Sequence, residues 1–103
     1  MTRAANAARG EAVIHTKNAA FMLRPTFAAL VAAEEELGPL FALVERAASG
    51  ALKLSEMVAL FWHCLDDPHA VTRDDFAQAV VEGGLAAATP ALKILLGQIL
   101  GGR

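Results

Sequence analysis

Two patterns of hydrophobic and polar residues divide this chain, one before Pro25 and one after it. Before Pro25, residues 11–16 and 19–24 are rich in β-forming residues and are separated by Lys17-Asn18. Because asparagine tolerates the positive φ of a tight turn, we predict a β-hairpin. Proline cannot donate a hydrogen bond to a neighbouring strand, so Pro25 should end the second strand.

The alternation along the two strands predicts which side of the hairpin is buried. Val13, Phe21 and Leu23 should share the buried face. A two-stranded sheet is only marginally stable by itself, so the hairpin must lie against helices or pair with another chain.

After Pro25 the apolar residues recur at helical spacing, and the breaks in this pattern predict four to five short helices. Thr26 is a suitable N-cap for the first helix, and Gly38 is a suitable end. The predicted apolar stripe of this helix contains Phe27, Leu30, Val31 and Leu37. Pro39 suits the first position of the second helix.

The second and third helices should differ in how much of their surface is apolar. The second should end at Ser49-Gly50, and its apolar side contains Leu40, Leu43, Val44 and Ala47. Ser55 is predicted to cap the third helix, with Leu54 as a hydrophobic staple. From Met57 to Leu65 the chain is apolar almost all round the helix, which predicts a buried central element.

The last two helical segments are separated by Gly83-Gly84. Residues 72–75 form a capping-box pattern for the fourth helix, and its apolar side contains Phe76, Ala79 and Val80. Residues 85–100 form either one helix kinked at Pro90 or a turn followed by a helix capped by Thr89. A threonine directly before a proline favours the second form.

These elements predict an α+β fold that is mostly α, with an N-terminal β-hairpin followed by four to five short helices in one compact domain. A chain of 103 residues suits one domain with one core. The domain should span residues 9–103, after a disordered leader at residues 1–8. No apolar run approaches the roughly 18 to 20 residues that cross a bilayer, and the start lacks the apolar stretch of a signal peptide. We therefore expect a cytoplasmic protein with no membrane partner.

The charged residues are spread unevenly along the chain, and their distribution bears on possible partners. Residues 1–25 contain four basic side chains and one acidic side chain, whereas residues 26–103 contain five basic and ten acidic side chains. An acidic helical body contacts phosphate poorly, so we expect no nucleic-acid partner.

Potentially reactive side chains are concentrated between residues 63 and 69, where His63, Cys64, Asp66, Asp67 and His69 occur. A zinc site needs about four converging ligands, but His63 and Cys64 are adjacent on a helix and should diverge. Cys64 lies in the most apolar part of the chain, which favours an inert buried thiol. As the single cysteine, it cannot form an internal disulfide. We predict no metal, no cofactor and no enzymatic activity.

Glu34 is expected on the inward face of the first helix, where a carboxylate needs a hydrogen-bond donor. Arg24, directly before this helix, is the predicted partner in a structural ion pair between Arg24 and Glu34. A role for Glu34 in binding another protein is the alternative. Glu35 and Glu36 are expected to be solvated.

The final helix carries more apolar residues than one core-facing stripe requires. Exposed apolar patches mark sites of association. We predict that Ile94, Leu96 and Leu100 contribute to a partner-binding surface. The alternative is a terminal helix that is simply buried against the domain.

In the order of these features, the chain resembles a family of small tail proteins from gene transfer agents and tailed phages. These proteins are described as tail assembly chaperones or tail-tube-associated proteins. The resemblance runs from Arg9 to about Leu100. It depends on Arg9-Gly10-Glu11, residues 23–27 (Leu-Arg-Pro-Thr-Phe), Leu30 with Glu34, and Leu37-Gly38. Further similarities are found at Gly50, residues 60–65, Thr72 and Gly84-Leu85, while Lys17-Asn18, Cys64 and Asp66-Asp67 depart from the family pattern.

This resemblance implies a non-enzymatic factor of phage-tail or gene-transfer-agent assembly. Such a factor would be a chaperone or adaptor that binds a tape-measure or tail-tube protein, with homo-oligomerisation as a further possibility. Two alternatives to this role remain open. In the first, the protein is a structural component of the tail, joined by strand addition at the hairpin edge. In the second, it is an unrelated small helical regulatory or interaction module.

Overall fold

The hairpin and the helices follow one another in the predicted order in a computed structural model, which describes residues 11–16, 19–67, 69 and 71–101. The elements are β1 (Ala12–His15), β2 (Ala20–Leu23), α1 (Phe27–Leu37), α2 (Leu40–Ala48), α3 (Leu54–His63), α4 (Arg73–Gly83) and α5 (Leu85–Gly101). This arrangement confirms the α+β, mostly α fold class. The predicted leader at residues 1–8 and the turn at Lys17-Asn18 lie outside the described residues.

The hairpin is antiparallel, and the residues that its register buries differ in part from those predicted from the sequence. Ala12 pairs with Leu23 and Ile14 pairs with Phe21. Directly opposite residues share a face, so even positions of β1 lie with odd positions of β2. Ala12, Ile14 and Leu23 are buried, whereas Val13 is only half-buried. The prediction was right for Leu23 but wrong for Val13, because this register shifts the buried face of β1 by one residue.

The hairpin is held between α5 and the segment that follows α3. β1 packs against α5. On the β2 side, the backbone amide of Arg24 donates to the carbonyl of Cys64 at 2.7 Å, and the amide of Asp66 donates to the carbonyl of Met22 at 2.9 Å. Helices and backbone hydrogen bonds thus supply the support that two strands lack by themselves.

Capping side chains set the starts of α1 and α4 as predicted. Thr26 Oγ1 accepts a hydrogen bond from the amide of Ala29, and Thr72 Oγ1 accepts one from the amide of Asp75, both at 3.1 Å. Gly38 ends α1 with a φ of +83°. Glycine adopts this left-handed backbone without the steric penalty of a side chain.

The start of α3 differs from the prediction, because Lys53 and not Ser55 lies at the N-cap and the helix begins at Leu54. The carboxylate of Glu56 accepts a hydrogen bond from the amide of Lys53 at 3.0 Å. Glu56 also forms an ion pair with Arg46 of α2. A carboxylate at the third helical position satisfies the cap amide, so the hydroxyl of Ser55 is not needed for this purpose.

α3 is the buried centre of the fold, as predicted. All residues from Met57 to Phe61 are buried. Phe76 of α4 lies edge-on to Phe21 with ring centroids 5.1 Å apart, and its ring centroid is 6.1 Å from that of Trp62. These aromatic contacts join the hairpin, α3 and α4 in one core.

α5 is one helix that contains Pro90, which is the first of the two predicted forms, so the favoured form with a helix capped by Thr89 was wrong. Thr89 does not cap a helix, and its Oγ1 instead donates a hydrogen bond to the carbonyl of Leu85 at 3.2 Å. Pro90 cannot donate a hydrogen bond to the carbonyl of Ala86. Because Ala86 and Pro90 are both exposed, this carbonyl lies on the solvent side of the helix, where water can bind it.

Candidate functional site

α1 exposes half of the apolar stripe that was predicted to face the core. Phe27 is 85% exposed and Val31 is 36% exposed. Ala33 is fully buried instead, and Leu30 and Leu37 are half-buried. α1 packs against α3, and a small alanine at the buried position allows the two helices to approach closely. The prediction used the helical spacing of the large apolar residues, whereas the structure buries Ala33 and leaves Phe27 and Val31 exposed.

The exposed side of α1 forms one wall of an apolar groove of about 260 Å³. We call it the aromatic groove, and it is lined by Phe27, Leu30, Val31, Glu34, Leu40, Phe41, Gln98 and Ile99. Phe41, in the first turn of α2, is 69% exposed. Two largely exposed phenylalanines beside aliphatic side chains are typical of a surface that binds another protein.

Glu34 joins α1 and α2, two of the three helices that line the aromatic groove. Its Oε2 accepts a hydrogen bond from the amide of Leu40 at 3.1 Å. Pro39 lies at the N-cap of α2, one position earlier than predicted, and makes no side-chain capping bond. Because the first amides of a helix lack partners within the helix, Glu34 supplies the acceptor that the proline cannot. The bond spans the turn between α1 and α2 and sets their relative position.

The predicted ion pair between Arg24 and Glu34 was wrong. Arg24 Nε donates to Glu11 Oε2 and Arg24 Nη1 donates to Asp66 Oδ1, each at 3.2 Å. Arg24 follows β2 directly, next to the start of β1 and to the segment after α3, whereas Glu34 reaches α2. Glu11 is 3% exposed, and a buried carboxylate is costly unless it is paired. Arg24 therefore stabilises the hairpin in the fold and takes no part in the groove.

Glu36 joins three helices, although it was expected to be solvated. It lies 2.8 Å from His63 Nε2 of α3 and accepts two hydrogen bonds from Arg73 of α4, at 2.9 and 2.5 Å. The hydrogen bonds from Arg73, followed by that with His63, lower the pKa of Glu36 to about 2. The three side chains are all partly exposed. This cluster cross-links helices at the surface.

The side chains that suggested a metal or a nucleophile do not converge. Among the described residues, no three His, Cys, Asp or Glu side chains form a group that could hold a metal ion. Cys64 is fully buried, and burial raises the pKa of its thiol to about 12. The thiolate, which is the nucleophilic form, is therefore strongly disfavoured at neutral pH.

The three residues predicted as a partner-binding surface on α5 do not form one surface. Ile94 and Leu96 are half-buried and pack against the core. They are two positions apart, which places them about 200° apart around the helix. Leu100 is 59% exposed. A role for these residues in binding stays a prediction, and Leu100 is the best placed of the three.

A second apolar groove, of about 210 Å³, lies at the opposite end of α2. We call it the leucine groove, and it is lined by Ala47, Gly50, Leu52, Lys53, Leu54, Met57, Leu85, Thr89 and Leu92. Leu54 and Leu85 are 43% and 46% exposed. The sequence did not indicate this groove, because its walls come from four separate segments.

No single helix in the described part of the chain is both long and apolar enough to cross a membrane. α4 and α5 reach the required length and hydropathy only when they are taken together, and they meet at a bend of 113°.

A comparison with known protein families places the chain in a described family. The sequence profile of a family described as "phage tail tube protein, GTA-gp10" matches residues 9–102. The searches of curated proteins and of solved structures gave no significant match.

Proposed function

The chain belongs to the phage tail tube protein family GTA-gp10, and from this membership we propose that it acts as a non-enzymatic adaptor in tail assembly. In this role it binds the tail-tube or tape-measure protein of a phage-like particle or gene transfer agent. It acts in the cytoplasm while the tail is being built. The aromatic groove is the observation that carries the proposal.

The composition of the aromatic groove supports protein binding. Phe27 and Phe41 are the two most exposed large apolar side chains of the described residues. They contribute little to the core, so their burial in a complex would release water from apolar surface without weakening the fold. Aromatic side chains are enriched among the residues that contribute most to binding at interfaces.

The shape of the groove suits a helical segment of the partner. Residues of α1, α2 and α5 line it, and Glu34 holds α1 and α2 together through the amide of Leu40. An amphipathic helix can place its apolar face into a groove of this kind. If the groove covers the apolar face of the partner helix before the tail is complete, it would limit aggregation of the partner.

The burial of Cys64 supports a role without covalent chemistry. Its thiol is enclosed in the core, and its pKa is raised to about 12 by burial. A nucleophilic cysteine needs exposure and a lowered pKa. Cys64 has the opposite properties.

A permanent structural role in the tail is the second candidate, and the family description favours it directly. A tail component remains in purified particles, whereas an assembly adaptor leaves before the tail is complete. Quantitative mass spectrometry of purified particles distinguishes the two roles. One copy or more per tail ring would support the structural role, and absence from particles would support the adaptor.

Phe41→Asp tests the groove itself. The substitution lies in the first turn of α2, where an acidic residue is favourable to a helix, so the variant should fold. The chain is co-expressed with the tail-tube and tape-measure proteins of the same particle, and the amount that co-purifies is measured. We expect Phe41→Asp to lose the partner, because a charge in an apolar contact is costly when it is unpaired.

Val81→Asp is the matched control for Phe41→Asp. Val81 is 48% exposed on α4 and lines neither groove. This variant should co-purify as the parent does. Equal co-purification of the parent and Phe41→Asp would contradict the proposal that the aromatic groove binds the partner.

A further inference from the structure

We infer that the aromatic groove recognises a basic amphipathic helix, in which a lysine or arginine on the apolar face pairs with Glu34. The inference rests on the proposed function and names the chemistry of the partner segment. The feature that carries it is a carboxylate oxygen that the fold leaves available in an otherwise uncharged groove.

The two carboxylate oxygens of Glu34 have different surroundings. Oε2 accepts the hydrogen bond from the amide of Leu40 at 3.1 Å. Oε1 has no hydrogen bond and no ion pair with any residue in the described part of the chain. The side chain is exposed, so Oε1 can accept a hydrogen bond from a donor on another protein while Oε2 keeps its bond to α2.

Other carboxylates of the fold are already neutralised by a cation. Three glutamates form an ion pair with an arginine, namely Glu11, Glu36 and Glu56. Glu34 instead makes its side-chain hydrogen bond to a neutral backbone amide. Its negative charge is therefore available to attract a basic side chain of a partner.

The charges around the groove favour a basic partner over an acidic one. Of the described residues that line the groove, only Glu34 is charged. The three lining helices together carry four acidic and two basic side chains, which are Glu34, Glu35, Glu36 and Glu45 against Arg46 and Lys93. A negative surface attracts basic segments and repels acidic ones.

The spacing along α1 predicts the spacing of the partner residues. Glu34 lies seven residues after Phe27, which is two turns of helix and about 10 Å along the axis. Both residues line the groove. A partner helix that lies along α1 can contact both when its basic residue and a large apolar residue are seven positions apart on one face. The exposed rings of Phe27 and Phe41 also attract a cation through their faces.

Two glutamine substitutions on α1 separate the charge from the fold. Glu34→Gln removes the charge but keeps an oxygen that can accept the hydrogen bond from Leu40. Glu35→Gln is the matched control, because Glu35 is the next residue, is exposed and does not line the groove. Circular dichroism and thermal unfolding establish that both variants are folded.

The probe is a pair of designed amphipathic peptides, each a helix of about five turns with a stripe of leucines. One peptide has a lysine seven positions from a leucine on this stripe, and its twin has a glutamine there. Binding is measured by fluorescence anisotropy at low salt. The parent and Glu35→Gln should bind the lysine peptide about fivefold more tightly than its twin, and the preference should shrink at high salt. Glu34→Gln should bind both peptides equally.

Two outcomes would overturn the inference. In the first, Glu34→Gln keeps the full preference for the lysine peptide, so the preference does not come from this carboxylate. In the second, the parent binds neither peptide or binds both equally.

Overlapping segments of the tail-tube and tape-measure proteins, used in the same assay, separate this inference from the proposed function. If tail segments bind the parent, fail to bind Phe41→Asp, and bind Glu34→Gln and Glu35→Gln equally, the proposed function stands and the inference is wrong. If the lysine peptide is preferred through Glu34 but no tail segment binds, the inference stands and the proposed function fails.

Discussion

The single phenylalanine of α3 and the two phenylalanines of the α1–α2 pair have opposite positions in the fold. Phe61 of α3 is fully buried, whereas Phe27 of α1 and Phe41 of α2 are 85% and 69% exposed. All three lie in apolar stretches of the sequence. The difference lies in how much of each helix is covered, because α3 buries every residue from Met57 to Phe61, whereas α1 buries only Ala33.

This contrast separates the residues that stabilise the fold from the residues available for binding. Core phenylalanines contribute to stability through buried contacts, whereas exposed ones gain little from folding. Large apolar side chains at the surface are instead typical of interaction sites when they cluster. The predictions below test this separation, beginning with the largest expected effect.

Thiol labelling should distinguish the buried and exposed regions most strongly. Cys64 is buried and its pKa is raised to about 12 by desolvation, so a thiol reagent reaches it only after the protein opens. Global opening of a small domain costs about 5 kcal/mol or more, which slows labelling about 1,000-fold or more relative to the unfolded chain. The rate is measured at neutral pH with and without denaturant.

A cysteine introduced into the aromatic groove is the control for this labelling. In the background Cys64→Ala, Phe41→Cys should react almost as fast as an unfolded thiol. Rapid labelling of native Cys64, or protection of the cysteine at position 41 in the monomer, would contradict the assigned burial.

Alanine substitutions should show the same contrast in stability. Phe61→Ala creates a cavity in the core and should lower the free energy of unfolding by about 3 to 5 kcal/mol. Phe41→Ala removes a mostly exposed ring and should change it by no more than about 0.5 kcal/mol. Urea denaturation of both variants measures the two values. Similar losses for the two variants would show that the aromatic groove belongs to the core.

The Glu36 cluster should give a smaller effect that depends on pH. The pKa of Glu36 is lowered from 4.5 to about 2 in the folded protein, so its carboxylate stabilises the fold above pH 4.5 and this contribution is lost as the pH falls towards 2. After allowance for solvent screening at this partly exposed site, Glu36→Gln should cost about 1 kcal/mol at pH 7. The difference between Glu36→Gln and the parent should shrink in acid. A difference that is constant from pH 7 to pH 2 would contradict the assigned pKa.

Much of the fold could be predicted from the sequence, because local signals define its helices. Thr26, Thr72 and Gly38 set helix ends through interactions within one turn. The buried centre at α3 followed from apolar residues on all sides of the helix. The start of α3 was misplaced because the carboxylate of Glu56 satisfies the amide of Lys53, so Ser55 is not needed as a cap.

The candidate site was harder to predict, because it depends on contacts between distant segments. The exposure of Phe27 follows from the packing of α1 on α3, which buries Ala33. The sequence alone does not distinguish Ala33 from the exposed Ala28 of the same helix. The partners of Arg24 depend on the register of the hairpin and on the position of Asp66, which is far away in the sequence. The family resemblance from the sequence is confirmed at the level of a phage or gene-transfer-agent tail protein.

The central claim is that the aromatic groove touches a tail protein, and site-specific photo-crosslinking tests it most directly. p-Benzoylphenylalanine is introduced in place of Phe27, which is 85% exposed, and separately in place of Val81 as a control. Each variant is co-expressed with the tail-tube and tape-measure proteins and irradiated in cells, and the products are identified by mass spectrometry. The account predicts a crosslink to one of these two proteins from position 27 and none from position 81. A crosslink to a tail protein from position 81 but not from position 27 would contradict it.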